Sequence, residues 1–163
     1  MKRVRKRLVG FLIALSFIFI LTSSLGAATF TVGSNTGSPG DKDISIPIDL
    51  SSEPGEEACS FNFDLIFDTS MLSFKKVTLG SVAVDAGKSL SYSQPSFNTI
   101  RVVVIGFNQK VISDGEVLTF TFDILDKAPR GKTKLTITKP SISDPKGKLL
   151  PANTDGGGLH ITK

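Results

Sequence analysis

The sequence predicts an all-β fold, a β-sandwich of about nine strands with jelly-roll topology. Three observations carry this. Beyond residue 28 the apolar residues recur at every second position, which is the period of a strand with one buried face. Clusters of Gly, Pro, Ser and Asp punctuate these runs at short intervals, as in sandwiches and jelly rolls. No segment needs a helical period to explain its pattern.

The chain opens on Lys2, Arg3, Arg5, Lys6 and Arg7, followed by an uncharged apolar run from Leu8 to Leu21 and then by Ser23, Ser24, Gly26, Ala27 and Ala28. A basic segment, an apolar segment and small residues at the end form the pattern of an export leader. The expected cut is after Ala28, giving a leader over 1–28, a domain over 29–163 and a secreted, extracellular product. The alternative is an uncleaved membrane anchor. Against it, the apolar run is shorter than the about 20 residues that span a bilayer unless residues 22–28 are counted in. No cysteine lies near the cut to carry a lipid, and no second apolar run stands near Lys163.

The strands follow in order. Phe30 and Val32 mark the first. In Asp43 to Leu50 the apolar positions are Ile44, Ile46, Ile48 and Leu50, and Pro47, which lacks an N–H, predicts a sheet edge or a bulge there. From Ser60 to Phe67, Phe61, Phe63, Leu65 and Phe67 point one way, with Asn62, Asp64 and Ile66 opposite. Ile100 to Phe107 reads as a strand with Ile100, Val102 and Val104 inward. Val117 to Leu125 puts Leu118, Phe120, Phe122 and Ile124 inward and Thr119, Thr121 and Asp123 outward. Leu135 and Ile137, then Leu159 and Ile161, mark two short strands, and Gly156 to Gly158 reads as a flexible approach to the last. The turns between them include Gly37 to Asp41, Pro54-Gly55, Ser113 to Gly115, Pro129 to Gly131 and Asp144 to Gly147, where Gly supplies positive φ and Pro presets the bend.

Charge and composition narrow the function. Five of the 19 Lys and Arg lie in the leader, so 14 face 15 Asp and Glu in the remaining 135 residues. The pI near 9.3 belongs to the leader. A basic face for nucleic acid is not indicated, and binding to an anionic membrane after cleavage is disfavoured for the same reason. The domain is long enough to bury roughly two-thirds of its unfolded surface without disulfides or a metal. Cys59, the single cysteine, reads as a buried, inert thiol.

The parts for catalysis are missing. His160, the one histidine, lies on the outward side of the last strand with no nucleophile matched to it. One His and one Cys do not make a metal site of those ligands. Glu56 and Glu57 could resemble a glycosidase pair, but adjacent acids in a polar loop read as a solvated charge run. Asp114-Gly-Glu and Asp144-Pro-Lys-Gly resemble pieces of a calcium loop without its alternating oxygen ligands, and read as turns. No catalytic residue, metal or cofactor is assigned.

Binding is a better prospect, because large apolar residues at outward positions need an explanation. If Ile100 to Phe107 pairs beside Ser60 to Phe67, then Ile66, Val103 and Ile105 form an apolar centre rimmed by Ser60, Asn62, Asp64 and Arg101. A protein partner suits such a patch. The same run also fits a strand covered by a loop, or a central strand buried on both faces.

Several segments together resemble a cohesin domain. They are Val32-Gly33-Ser34 with Pro39-Gly40-Asp41 and Ile44-Ser-Ile-Pro-Ile48, Ser60-Phe-Asn-Phe-Asp-Leu-Ile-Phe-Asp68 with Leu72, Ile112-Ser-Asp-Gly115 with Leu118-Thr-Phe-Thr-Phe122, and Gly157-Gly-Leu-His-Ile161. The resemblance covers essentially all of 29–163 and implies a nine-stranded jelly roll that grips a dockerin, a small module built on two calcium loops, with one sheet face. The calcium would belong to the partner. Outward positions of the third strand in that family often carry Asn and Asp; Ser60 and Asn62 stand at the matching places, which removes a charge. Cohesins usually occur in arrays, and this chain holds a single copy.

Direct carbohydrate binding is the alternative partner class. It lacks a flat aromatic platform, with no Trp and only Tyr92, although Phe97 and Phe107 could contribute. A structural subunit joining neighbours through an edge strand is a third reading.

Overall fold

A computed structural model describes residues 27–162. Its twelve strands are β1 (Ala28–Val32), β2 (Ser34–Gly37), β3 (Ile44–Ser51), β4 (Ser60–Ile66), β5 (Leu72–Leu79), β6 (Ser89–Ser96), β7 (Thr99–Ile105), β8 (Gly115–Ile124), β9 (Gly131–Ser143), β10 (Leu149–Leu150), β11 (Ala152–Asp155) and β12 (Gly157–Ile161). One sheet runs β11-β1-β3-β8-β5, and the other β2-β12-β9-β4-β7-β6, with β10 paired to β9. Successive strands mostly alternate between the sheets, as in a jelly roll. The excess over the nine expected strands comes from β2, β10 and β11, each of four residues or fewer.

The period-two pattern explains the packing. Phe30, Ile46, Ile48, Leu118, Phe120 and Phe122 from the five-stranded sheet meet Phe61, Phe63, Leu65, Ile100, Val102 and Leu135 from the other, all of them buried. Phe30 links the layers directly, with its ring 5.1 Å from that of Phe61 and 5.2 Å from that of Phe63, edge to face. Burying each such ring contributes about 1.5–3 kcal/mol, so this seam dominates cohesion between the sheets.

Pro47 is not on an edge strand, because β3 lies between β1 and β8. The last β1 pair is Val32 with Ile48, after which β1 leaves the sheet. Pro47 stands one residue beyond, its carbonyl accepting from the Gly33 N–H at 2.8 Å. Its missing N–H therefore faces a place where the ladder has already ended, and a bulge follows on the β8 side between Ile48 and Asp49.

Gly33 carries the chain from one sheet to the other past the Pro47 ring, where a Cβ would lie 2.7 Å from Pro47 Cγ. The glycine triplet is not a flexible approach. Gly157 and Gly158 belong to β12, and a Cβ on Gly157 would lie 2.0 Å from the Val32 carbonyl oxygen.

A helix, α1 (Ser81–Asp85), was not expected from the sequence. Five residues are too few to display a 3.6-residue period. It follows Gly80, which packs on the backbone of Glu116, and it buries Ala83. The leader expected over 1–28 lies outside the described residues except for Ala27 and Ala28. Ala28 is fully buried as the first residue of β1, and its N–H donates to the Pro151 carbonyl at 3.0 Å. Among the described residues no helix is long and apolar enough to cross a membrane.

Candidate protein-binding face

Strand β4 pairs antiparallel with β7 on one side and with β9 on the other. The β4–β7 register sets Asn62 opposite Val103, Asp64 opposite Arg101 and Ile66 opposite Thr99. Cross-strand partners share a face. Ser60, Asn62, Asp64 and Ile66 therefore lie on the same side as Arg101, Val103 and Ile105, so all seven residues singled out from the sequence fall on the outer face of the seven-stranded sheet.

That face is open where β7 crosses it. Val103 is 37% and Ile105 57% exposed, whereas Ile100, Val102 and Val104, which alternate with the outward residues of β7, are sealed in the core. Among the described residues no loop covers this strand, and it is not buried on both faces. The side-chain amide of Asn62, beside Val103, is exposed and makes no hydrogen bond among the described residues. Three of the seven depart from the exposed centre and rim that were expected. Ile66, at the end of β4, is half-buried. Ser60 is half-buried too, its hydroxyl 2.6 Å from that of Ser143 on β9.

Asp64 departs furthest, because an exposed rim carboxylate was expected and the residue is 4% exposed. It is covered by its own neighbours. Arg101 Nε donates to Oδ1 at 2.7 Å and Nη2 to Oδ2 at 2.8 Å, in the bidentate geometry that matches guanidinium to carboxylate. Lys139 Nζ stands 3.5 Å from Oδ2 on the other side. The hydrogen bonds from Arg101, reinforced by its charge and that of Lys139, hold the Asp64 carboxyl below its usual range although burial works the other way. What the face presents at this point is therefore cationic.

The position of Lys139 comes from the backbone. Opposite β4, β9 has a bulge between the partners of Asn62 and Asp64, and within it Lys139 takes a left-handed φ of 51°. Such a conformation is uncommon for a residue with a Cβ, and the bulge re-aims its side chain.

Sequence reasoning missed three contributors. Strand β6 completes the face beyond β7, placing Ser89 opposite Ile105, Ser91 opposite Val103 and Ser93 opposite Arg101. Its signal was faint, because the inward positions are only Leu90 and Tyr92 among serines. Thr136, Thr138 and Ser141 of β9 line the other flank. The third contributor is Lys88, which is buried at 6% exposure, with Nζ 3.1 Å from Asn108 Oδ1 and 3.3 Å from Cys59 Sγ. This contact fastens the chain beyond Ile105 to the start of β4, and Cys59 is a buried thiol within it.

The aromatic residues do not assemble a platform. Tyr92 pairs with Val102, so it faces inward at the sheet edge, where its ring lies 6.0 Å from that of Phe74. Phe97, 76% exposed, lies between β6 and β7, and the fully exposed Phe107 lies beyond the far end of β7. Further along the same sheet, Ser34, Thr36, Lys132, Lys134, Gly158 and His160 line an open groove of about 760 Å³. Among the described residues no group of His, Cys, Asp and Glu is arranged to hold a metal ion.

A jelly-roll sandwich with an exposed apolar strip framed by hydroxyls, an amide and cations defines a class of binding domain. The cohesin domain family matches residues 28–157, and the chain belongs to that family. Among solved structures, the sixth cohesin of scaffoldin B from Acetivibrio cellulolyticus, in complex with a dockerin, is 20% identical with a TM-score of 0.75, over 83% of this chain and 99% of that one. A type I cohesin–dockerin complex from Clostridium thermocellum is 17% identical with a TM-score of 0.74, over 83% and 99%. A non-cellulosomal cohesin from the archaeon Archaeoglobus fulgidus is 22% identical with a TM-score of 0.70, over 84% and 92%. No curated protein matches the sequence.

Proposed function

We propose that the protein is a secreted, non-catalytic binding module that recognises a dockerin-type calcium-loop module on a partner protein, in the assembly of extracellular polysaccharide-degrading complexes. The observation that carries this is the exposure of Val103 and Ile105 on the outer face of a sheet whose inner face is sealed, in a chain of the cohesin family. Apolar side chains ringed by Asn62, Ser89, Ser91 and Arg101 reproduce the dry centre and polar rim of a protein interface. Two of the solved structures similar to this chain are complexes with dockerins. Calcium would belong to the partner. Export rests on the basic-apolar-small pattern of residues 1–28; a cut after Ala28 leaves Thr29 still paired with Ser51.

The contact residues on this reading are Asn62, Arg101, Val103 and Ile105, with Ser60, Asp64 and Ile66 supporting them. The test is titration of the protein against a panel of dockerin modules, with calcium and with a chelator. Binding that disappears on chelation, and that Val103→Asp or Ile66→Asp abolishes in a folded protein, supports the face. Unaltered affinity in both variants would remove it. Retention on neutral polysaccharide without binding to any dockerin would make this a carbohydrate-binding module.

A further inference from the structure

The two sheets carry opposite charge. In the strands of the seven-stranded sheet the charged residues are Arg101, Lys132, Lys134 and Lys139, with Asp64 as the one carboxylate. In the five-stranded sheet Asp49, Glu116, Asp123 and Asp155 outnumber Lys75 and Lys76. A domain close to neutral overall has thus gathered its strand cations on the sheet that bears the apolar strip.

The cations are also available. Arg101 uses Nε and Nη2 on Asp64, which leaves Nη1 with no partner among the described residues and the side chain half exposed. A guanidinium held by a carboxylate on one edge is oriented for a second acceptor on the other. The Lys139 side chain is 77% exposed. Lys132 and Lys134 form no ion pair among the described residues and line the groove beside β12. From Ile105 through Arg101 to Lys139 and Lys134, the face runs from apolar to cationic.

We propose that the partner module docking on this face is acidic, setting carboxylates against Arg101, Lys139 and Lys134 and an apolar side chain against Val103 and Ile105. This rests on the reading of the face as a dockerin site and specifies the chemistry of the dockerin it takes. Complementary charge raises the association rate and rejects partners of the wrong sign. A protein fits better than an acidic sugar polymer, because the cations border an apolar strip and, among the described residues, no exposed aromatic ring stands between them.

The test uses two sets of calcium-loaded dockerin modules, one acidic and one basic over the surface outside their calcium loops. The probes are titrated at low and high salt, with polygalacturonate as a non-protein polyanion. The acidic set is expected to bind at least about tenfold more tightly at low salt and to lose that margin at high salt. The double variant Lys134→Glu, Lys139→Glu, which alters two exposed side chains, is expected to invert the order. Basic modules bound as tightly as acidic ones would overturn the proposal and leave dockerin recognition standing. If no dockerin of either charge binds, both readings fall together. Binding of polygalacturonate in preference to every dockerin would overturn it in favour of an acidic polysaccharide.

Discussion

Arg101 and Asp64 meet edge to edge across a β4–β7 pair, with both carboxylate oxygens bonded within 2.8 Å and Lys139 closing the far side. The carboxylate is nearly excluded from water while the guanidinium is half exposed. Asp64 is thus a positioning residue that fixes the orientation of Arg101.

Stability should fall with acid partly through this pair. The folded pKa of Asp64 lies below its unfolded value of about 3.9. The unfolded chain therefore binds more protons in the window between the two, and the contribution is complete above the unfolded value and lost as pH falls through the folded one. Asp68 and Asp123 are shifted the same way and add to the slope. Asp64→Asn should be less stable at neutral pH by about 1–2 kcal/mol and should show a shallower loss of stability on acidification. Urea unfolding of both proteins between about pH 6 and 2 measures this; parallel curves would show that the pair contributes nothing through ionisation.

Neighbouring valines on β7 should respond in opposite ways to the same change. Val103 looks outward and Val102 is fully buried. Val103→Asp should alter unfolding free energy by no more than about 0.5 kcal/mol, while Val102→Asp places an unpaired charge in the core and should prevent folding. Circular dichroism and thermal melts separate the outcomes, and equal damage from both would mean that the outer side of β7 is covered in the native protein.

The alternation along β4, β7 and β8 made the sandwich and most of the face legible. Whether a side chain looks in or out is a property of one strand, and a strand writes it at every second residue. Pairing is a property of two strands, so the neighbourhood of Asn62 and Val103 was available only as a supposition. The burial of Asp64 was not legible, because it depends on Arg101 one strand away and on Lys139 in a bulge of a third. Strand β6 stayed hidden for a different reason. As an edge strand with serines on its outer side, it buries too little to need an apolar pattern.

Gly157→Ala should be far more costly than an ordinary strand substitution. A Cβ there would overlap the carbonyl oxygens of Val32 and Gly33, at 2.0 and 2.4 Å. These are backbone atoms at the crossing between sheets and have no rotamer through which to yield. The variant should lose about 2–4 kcal/mol, and Gly156→Ala, with open space around it, should be nearly neutral. Chemical denaturation of the pair checks the contrast, and a neutral Gly157→Ala would mean that β12 does not pack on the end of β1.

Lys88 is the least expected element of the structure and allows a sharp test. A buried ammonium costs several kcal/mol unless its protons are bonded, and here the Asn108 side chain, the Asn108 carbonyl at 3.4 Å and the Cys59 sulfur receive them. Asn108 in turn donates to the Gly87 carbonyl at 3.1 Å, and the Ile112 N–H to that of Ala58 at 2.7 Å. The chain from residue 106 to 112 is therefore tied at both ends to the edges of β6 and β4, next to the exposed Ile105. Lys88→Met keeps an unbranched side chain, one atom shorter, and removes every hydrogen bond of the ammonium, leaving the Asn108 side chain with only the Gly87 carbonyl and the Lys110 N–H as partners among the described residues. Amide exchange should then accelerate across residues 106–112 by about tenfold or more, corresponding to a local loss of about 1.4 kcal/mol, while the Phe30–Phe63 core keeps its protection. Cys59 should also become reactive toward a thiol reagent under conditions in which the unmodified protein is inert. Unchanged exchange and unchanged thiol reactivity would show that the loop is held by the Asn108–Gly87 bond and its backbone hydrogen bonds and that Lys88 is incidental to the shape of the face.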